Sequence, residues 1–228
     1  MPLSPLHQIR LDMNRAADAA GRPHAQLLAV SKTQPAEAVA ALAAQGQRAF
    51  GENYVQEAAT KIAALANAGL EWHLIGHLQS NKAEQAATLF DWVQTVDRPK
   101  LVAALAKGRA AASAPLNVLI QVNIDDEASK HGCQPEAVDA LAAAIAAQPK
   151  LALRGLMAIP APWPEAERRI DAFARMHALF ERLRAAQPQV DTLSMGMSGD
   201  FVDAIAAGAT MVRVGTALFG ARGPRAAG

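Results

Sequence analysis

Apolar residues along this chain gather in short runs, separated by longer alanine-rich stretches of mixed polarity, and the two kinds of segment alternate from one end to the other. The short runs are "QLLAVSK" (26–32), "RAFGE" (48–52), "EWHLIG" (71–76), "DWVQTV" (91–96), "LNVLIQVN" (116–123), "LALRGLMAI" (151–159), "DTLSMG" (191–196) and "TMVRVG" (210–215). Their length and branched residues read as buried strands. Between them, segments such as "PAEAVAALAAQG", "EQAATLF", "RPKLVAALAKGRAAA", "PEAVDALAAAIAAQ", "AERRIDAFARMHALFERLRAA" and "FVDAIAAG" have the periodicity and composition of amphipathic helices. One more helix precedes the first strand, roughly Pro5 to Ala20, ending near Gly21.

Strand and helix alternating eight times predict an α/β fold, a (β/α)8 TIM-type barrel preceded by an extra N-terminal helix. An open doubly wound sheet is the alternative that periodicity leaves standing. No composition shift or long linker divides the chain, so residues 1–228 are expected to form a single domain, with only the tail "ARGPRAAG" (221–228) unstructured.

Composition narrows the function classes. The chain is 51% hydrophobic but only 4% aromatic, which suits alanine- and leucine-rich helices around a sheet. A net charge of +1 with no local basic stripe argues against nucleic acid as a partner. The single cysteine, Cys133, excludes an intramolecular disulfide, and "MPLSPLHQIRLDMN" lacks the apolar core of a signal peptide, so a cytoplasmic location is expected. No apolar stretch approaches the roughly 20 residues of a membrane span, and no membrane partner is expected.

In a barrel the C-terminal strand ends form the active face. Here those ends are polar: Lys32, "GEN" (51–53), "GHLQSNK" (76–82), "TVD" (95–97), "QVN" (121–123), "SMGMSGD" (194–200) and "RVGT" (213–216). In "SMGMSGD", Gly196 and Gly199 relax the backbone and Ser198 adds a hydroxyl before a helix. That turn reads either as an anion cradle or as a glycine turn with Ser198 as helix cap. Gly215 and Thr216 repeat the glycine–hydroxyl pairing after the eighth strand, and loops after strands seven and eight hold phosphate in many barrels. Arg213, inside "TMVRVG", needs an acceptor, either a ligand or a carboxylate such as Asp97 or Asp200.

Lys32 raises the same question, because a buried strand has little use for an ammonium group. A lysine partly desolvated at a strand end is a nucleophile toward aldehydes and forms Schiff bases. With a phosphate cradle across the barrel mouth, the indicated ligand is a phosphorylated carbonyl compound: pyridoxal phosphate held as a cofactor, or a sugar phosphate processed by an aldolase. His73 and His77, four apart across a strand end, do not share a face, so no metal site is expected there. No G-x-S-x-G elbow, P-loop or G-x-G-x-x-G follows a strand, and Cys133 reads as an ordinary loop or helix-start cysteine.

Taken together, Lys32, "FGENYVQE", "WHLIGHLQSNK", "LSMGMSGD" and "VRVGTALFGAR" resemble, in this order and over almost the whole chain, the YggS/PROSC family of pyridoxal phosphate homeostasis proteins. The resemblance implies a barrel like the N-terminal domain of alanine racemase (pyridoxal phosphate fold type III) and pyridoxal 5'-phosphate as the cofactor. It implies Lys32 as the Schiff-base lysine; Ser198, Gly199, Gly215 and Thr216 at the phosphate; Arg213 facing the pyridine nitrogen; and Asn53 near the ring. His77 and Met195 are implied pocket neighbours, and Lys130 matches a family lysine associated with ligand transfer. At Gly199 family members often carry an acidic residue, a departure in the phosphate loop.

Alanine racemases take their second base, a tyrosine, from an additional β domain. This chain offers only Tyr54, in or beside the loop after the second strand. The expectation is therefore a monomeric protein with no catalytic residues that binds pyridoxal phosphate and delivers it to apo-enzymes. The alternative is a pyridoxal phosphate-dependent amino-acid racemase.

Overall fold

All eight apolar runs form strands, and hydrogen bonding joins each strand to its neighbours in sequence order until the last meets the first. The computed structural model describes residues 3–127 and 130–220, so the tail at 221–228 lies outside the described residues. The strands are β1 Gln26–Val30, β2 Ala49–Glu52, β3 Glu71–Leu74, β4 Trp92–Val96, β5 Leu116–Val122, β6 Leu151–Ala158, β7 Thr192–Met197 and β8 Met211–Val214. Every pairing is parallel, and the β1–β8 register, Gln26 on Met211 through Ala29 on Val214, closes the cylinder. An open doubly wound sheet is thereby excluded.

The helices are α1 Pro5–Ala19, α2 Ala36–Ala44, α3 Val55–Ala64, α4 Ala83–Leu89, α5 Pro99–Gly108, α6 Val138–Ala146, α7 Ala166–Ala186, α8 Phe201–Ala206 and α9 Thr216–Phe219. The extra helix α1 begins where Ser4 accepts a hydrogen bond from the His7 amide and Pro5 supplies a preset φ. It stops where Gly21 adopts φ 61° and the Arg22 amide reaches back to the Ala17 carbonyl. Its buried face, Leu6, Ile9, Met13 and Ala17, repeats at helical spacing and packs on α8 and α9.

Alternation along the strands separates two cores. Outward residues such as Phe50, Val118, Leu156 and Val212 join the helices in one large apolar layer. Inward residues make two smaller clusters, Leu28, Ala49 and Met211 with Ile75, and Trp92, Leu119 and Met157 with Ile159. No helix among the described residues is long and apolar enough to cross a membrane.

Candidate functional site

The ends of β1, β2, β3, β6, β7 and β8 surround a cavity of about 270 Å3 at the C-terminal mouth of the barrel. Lys32 lines it, one residue beyond buried Ser31, with an exposed side chain that makes no hydrogen bond or ion pair to any described residue. The strand thus carries a free amine out of the core, and its place is set from behind. Lys61 of α3, almost fully buried, donates to the Ser31 carbonyl, to Glu52 Oε1 and to Glu57 Oε1, each at 2.7 Å. Glu52 Oε1 also accepts from the Ser31 hydroxyl at 2.6 Å. Glu57 Oε1 takes the Thr33 amide at 2.5 Å, holding Thr33 at φ 65°, a left-handed conformation that β-branched residues seldom adopt. Both neighbours of Lys32 are therefore tied to one buried ion cluster. Burial pushes the Glu52 carboxyl above its ordinary range, against the lowering effect of Lys61 and Ser31.

Arg213 enters the same cavity from β8 and is 3% exposed. Its partners are the Ser194 hydroxyl and the Ala158 carbonyl, both at 2.8 Å, rather than a carboxylate. Asp97 instead pairs with Arg98 at 2.6 Å, and Asp200 accepts from the Met197 amide at 2.6 Å. Loss of hydration lowers the guanidinium to about 10, which leaves it charged at neutral pH. Asn53, Ser198, Gly215 and Thr216 also line the cavity, so six of the residues named from the sequence converge there. Ser198 is not a helix cap; Asp200 holds that position before α8.

Four named residues lie elsewhere. Met195 is fully buried in the outer core, because strand parity turns it away from Ser194, which faces inward to Arg213. A register shift between Ser194 and Met197 then brings Met197 to the cavity in its place. Gly199 sits in the exposed turn beside Ser198 and is not part of the cavity wall. His77 occupies an adjoining depression of about 430 Å3 with Tyr54 and Lys82, stacked on His131 with ring centroids 3.7 Å apart. Desolvation and the neighbouring His131 hold its pKa below the ordinary histidine value. Lys130 lies on the loop after β5 and does not line the cavity.

Sequence reasoning missed the apolar wall formed by Val30, Ile75, Ile159 and Met197, along with Thr33 and Gln34. Inward parity identifies Val30, Ile75 and Ile159 once a barrel is assumed, whereas Met197 depends on the register shift. Cys133 is buried and its thiol is pushed up to about 12 by burial, which makes it inert. No group of three or more His, Cys, Asp or Glu side chains among the described residues is placed to hold a metal ion.

The chemistry of the wall fits a phosphorylated aromatic aldehyde: a free amine, a buried guanidinium, two hydroxyls beside a glycine, and an apolar side for a ring. Comparison with known proteins bears on that fit. Residues 5–223 match the family model for the alanine racemase N-terminal domain. A pyridoxal phosphate homeostasis protein of Escherichia coli is 53% identical over 222 residues, covering 95% of each chain. PipY of Synechococcus elongatus superposes without pyridoxal phosphate at a TM-score of 0.86, 36% identity and 95% and 98% coverage of this chain and that one. With pyridoxal phosphate bound, the values are 0.79, 37%, 92% and 100%.

Proposed function

This chain belongs to the YggS/PROSC family of pyridoxal phosphate homeostasis proteins, and from that premise we infer that it binds pyridoxal 5'-phosphate as a Schiff base and takes part in the homeostasis and delivery of that cofactor, without strong catalytic activity. The observation that carries this reading is the cavity wall. Among the described residues lining it, Lys32 is the one amine; Arg213 stays protonated, and no carboxylate, histidine, tyrosine or cysteine is present. Inverting a carbon centre by proton transfer takes a base on each face, and this wall supplies one.

In this reading Lys32 provides the amine for covalent attachment. Ser198 and Thr216 donate hydroxyl hydrogen bonds to the phosphate, with the backbone of Gly215 close by and Gly199 extending the Ser198 turn. Asn53 stands at the edge of the ring and Arg213 donates to the ring nitrogen. When bound, the cofactor supplies an aldehyde and an electron-withdrawing ring. A guanidinium, a donor without a readily released proton, keeps the ring nitrogen unprotonated and weakens that withdrawal. Such a site suits holding and passing on the cofactor, with apo-enzymes dependent on it as the recipients. The exposure of Lys32 at the barrel mouth supports release without unfolding. His77 and Met195 are given no cofactor contact.

Replacing Lys32 tests the assignment. In Lys32→Ala, borohydride reduction is expected to trap no cofactor on the protein, while equilibrium dialysis still finds part of it retained through the phosphate and ring contacts. Trapping equal to that of the unmodified protein would overturn Lys32 as the attachment site.

A further inference from the structure

Five polar side chains cross the barrel interior in single file, four of them behind the cavity and the fifth, Arg213, in its wall. Glu71 on β3 is 39% exposed in its side chain and meets His73 Nε2 at 2.8 Å. His73 is fully buried, and its Nδ1 lies 2.9 Å from Gln94 Nε2 on β4. Gln94, also fully buried, receives the Ser194 hydroxyl of β7 at 2.7 Å through Oε1, and Ser194 receives Arg213 of β8 at 2.8 Å.

Each hydrogen-bond direction in this file follows from one end. Arg213 can only donate, so Ser194 Oγ accepts from it and sends its own proton to Gln94 Oε1. The Gln94 amide is thereby oriented, its NH2 faces His73 Nδ1, and that nitrogen must be an acceptor. The single ring proton then sits on Nε2 and points at the Glu71 carboxylate. Only a neutral His73 satisfies every member, and burial does depress its pKa. The hydrogen bond from His73 in turn lowers the Glu71 pKa, so the file ends in a carboxylate. Arg213, which has no carboxylate partner of its own, is connected to one through three neutral side chains.

We propose that Glu71, His73, Gln94 and Ser194 are positioning residues for Arg213, a hydrogen-bonded file that fixes the plane of its guanidinium and so determines whether the cofactor ring nitrogen is held as an acceptor. This rests on the reading above, in which Arg213 faces that nitrogen. Ser194 and the Ala158 carbonyl engage two terminal nitrogens of the guanidinium, which determines its rotation while Arg213 stays in the cavity wall. Without the Gln94 contact Ser194 loses the acceptor that keeps its lone pair toward Arg213, and the guanidinium is no longer oriented.

The test uses full-length protein loaded with pyridoxal 5'-phosphate carrying nitrogen-15 in the ring, read by the ring-nitrogen resonance at neutral pH. Gln94→Met keeps the volume and removes both hydrogen bonds of the file; Ser194→Ala, a smaller change, serves if that variant fails to fold. The expected result is a resonance displaced in the same direction as in Arg213→Leu, with bound cofactor within about twofold of the unmodified protein. A purely structural role for the file would lower stability and leave the resonance where it was. An unmoved resonance in Gln94→Met or Ser194→Ala, with Arg213→Leu displaced, overturns the positioning role and leaves the proposed function intact. An unmoved resonance in Arg213→Leu overturns the contact between Arg213 and the ring, and the positioning role with it.

Discussion

Lys61 touches nothing in the cavity, yet it binds the carbonyl of the residue before Lys32 and the carboxylate that holds the amide of the residue after it. Its replacement by Met leaves the fully buried Glu52 and the partly exposed Glu57 without their shared cation. Breaking a buried ion pair from one side costs about 3–5 kcal/mol, so a clear drop in the urea midpoint is expected. Because Thr33 then loses its restraint, the borohydride-trapped fraction is expected to fall relative to total bound cofactor. Equal trapping in Lys61→Met would show that the cluster stabilises the fold without placing Lys32. The two lysines differ in legibility for a physical reason. Lys32 announces itself by ending an apolar run, whereas Lys61 in "VQEAATKIAA" reads as half of an ordinary exposed Glu57–Lys61 pair one helical turn apart. Only the packing of α3 against β2 puts its ammonium 6% exposed beside Glu52.

Strands and most helices follow from the spacing of apolar residues; the strand ends fall within two residues of the runs that predict them, whereas α5 stops four residues before its segment does and α6 starts three residues after its own. Two features at this scale do not follow from that spacing. The register shift near the end of β7 brings Met197 to the cavity, and a period-two pattern cannot show where a strand slips. The close packing at Gly76 is likewise invisible: a Cβ there would come within 2.1 Å of the Asn53 carbonyl oxygen. Gly76 thus allows the segments that follow β2 and β3 to approach closely, with Asn53 between the cavity and the neighbouring depression. Gly76→Ala is expected to push the Asn53 backbone aside, lower stability by about 1–3 kcal/mol and weaken cofactor retention. A thermal melt and a dialysis constant both unchanged from the unmodified protein would refute that role.

At the scale of the molecule, closure of eight strands brings together an amine from the first, a guanidinium from the last and hydroxyls from the segments after the seventh and eighth. The same closure leaves Tyr54 62% exposed, outside the cavity wall. With one base at the site, cofactor-loaded protein incubated with L- and D-amino acids in heavy water is expected to show no Cα deuterium incorporation above the free-cofactor background. Incorporation that disappears in Lys32→Ala would mean that the pocket abstracts protons, and would favour the racemase reading. The sequence alone determined the alternation of elements, the family and the convergence of polar groups at strand ends, because these depend on local periodicity and on motifs contiguous in the chain. Tertiary structure alone decided which of those groups share a cavity, that Arg213 is paired with Ser194 and Ala158 rather than an aspartate, and that a neutral file reaches it from Glu71. Those contacts join residues up to 100 positions apart around a closed barrel, and which inward side chains meet depends on strand register, a property of the paired sheet and not of any one segment.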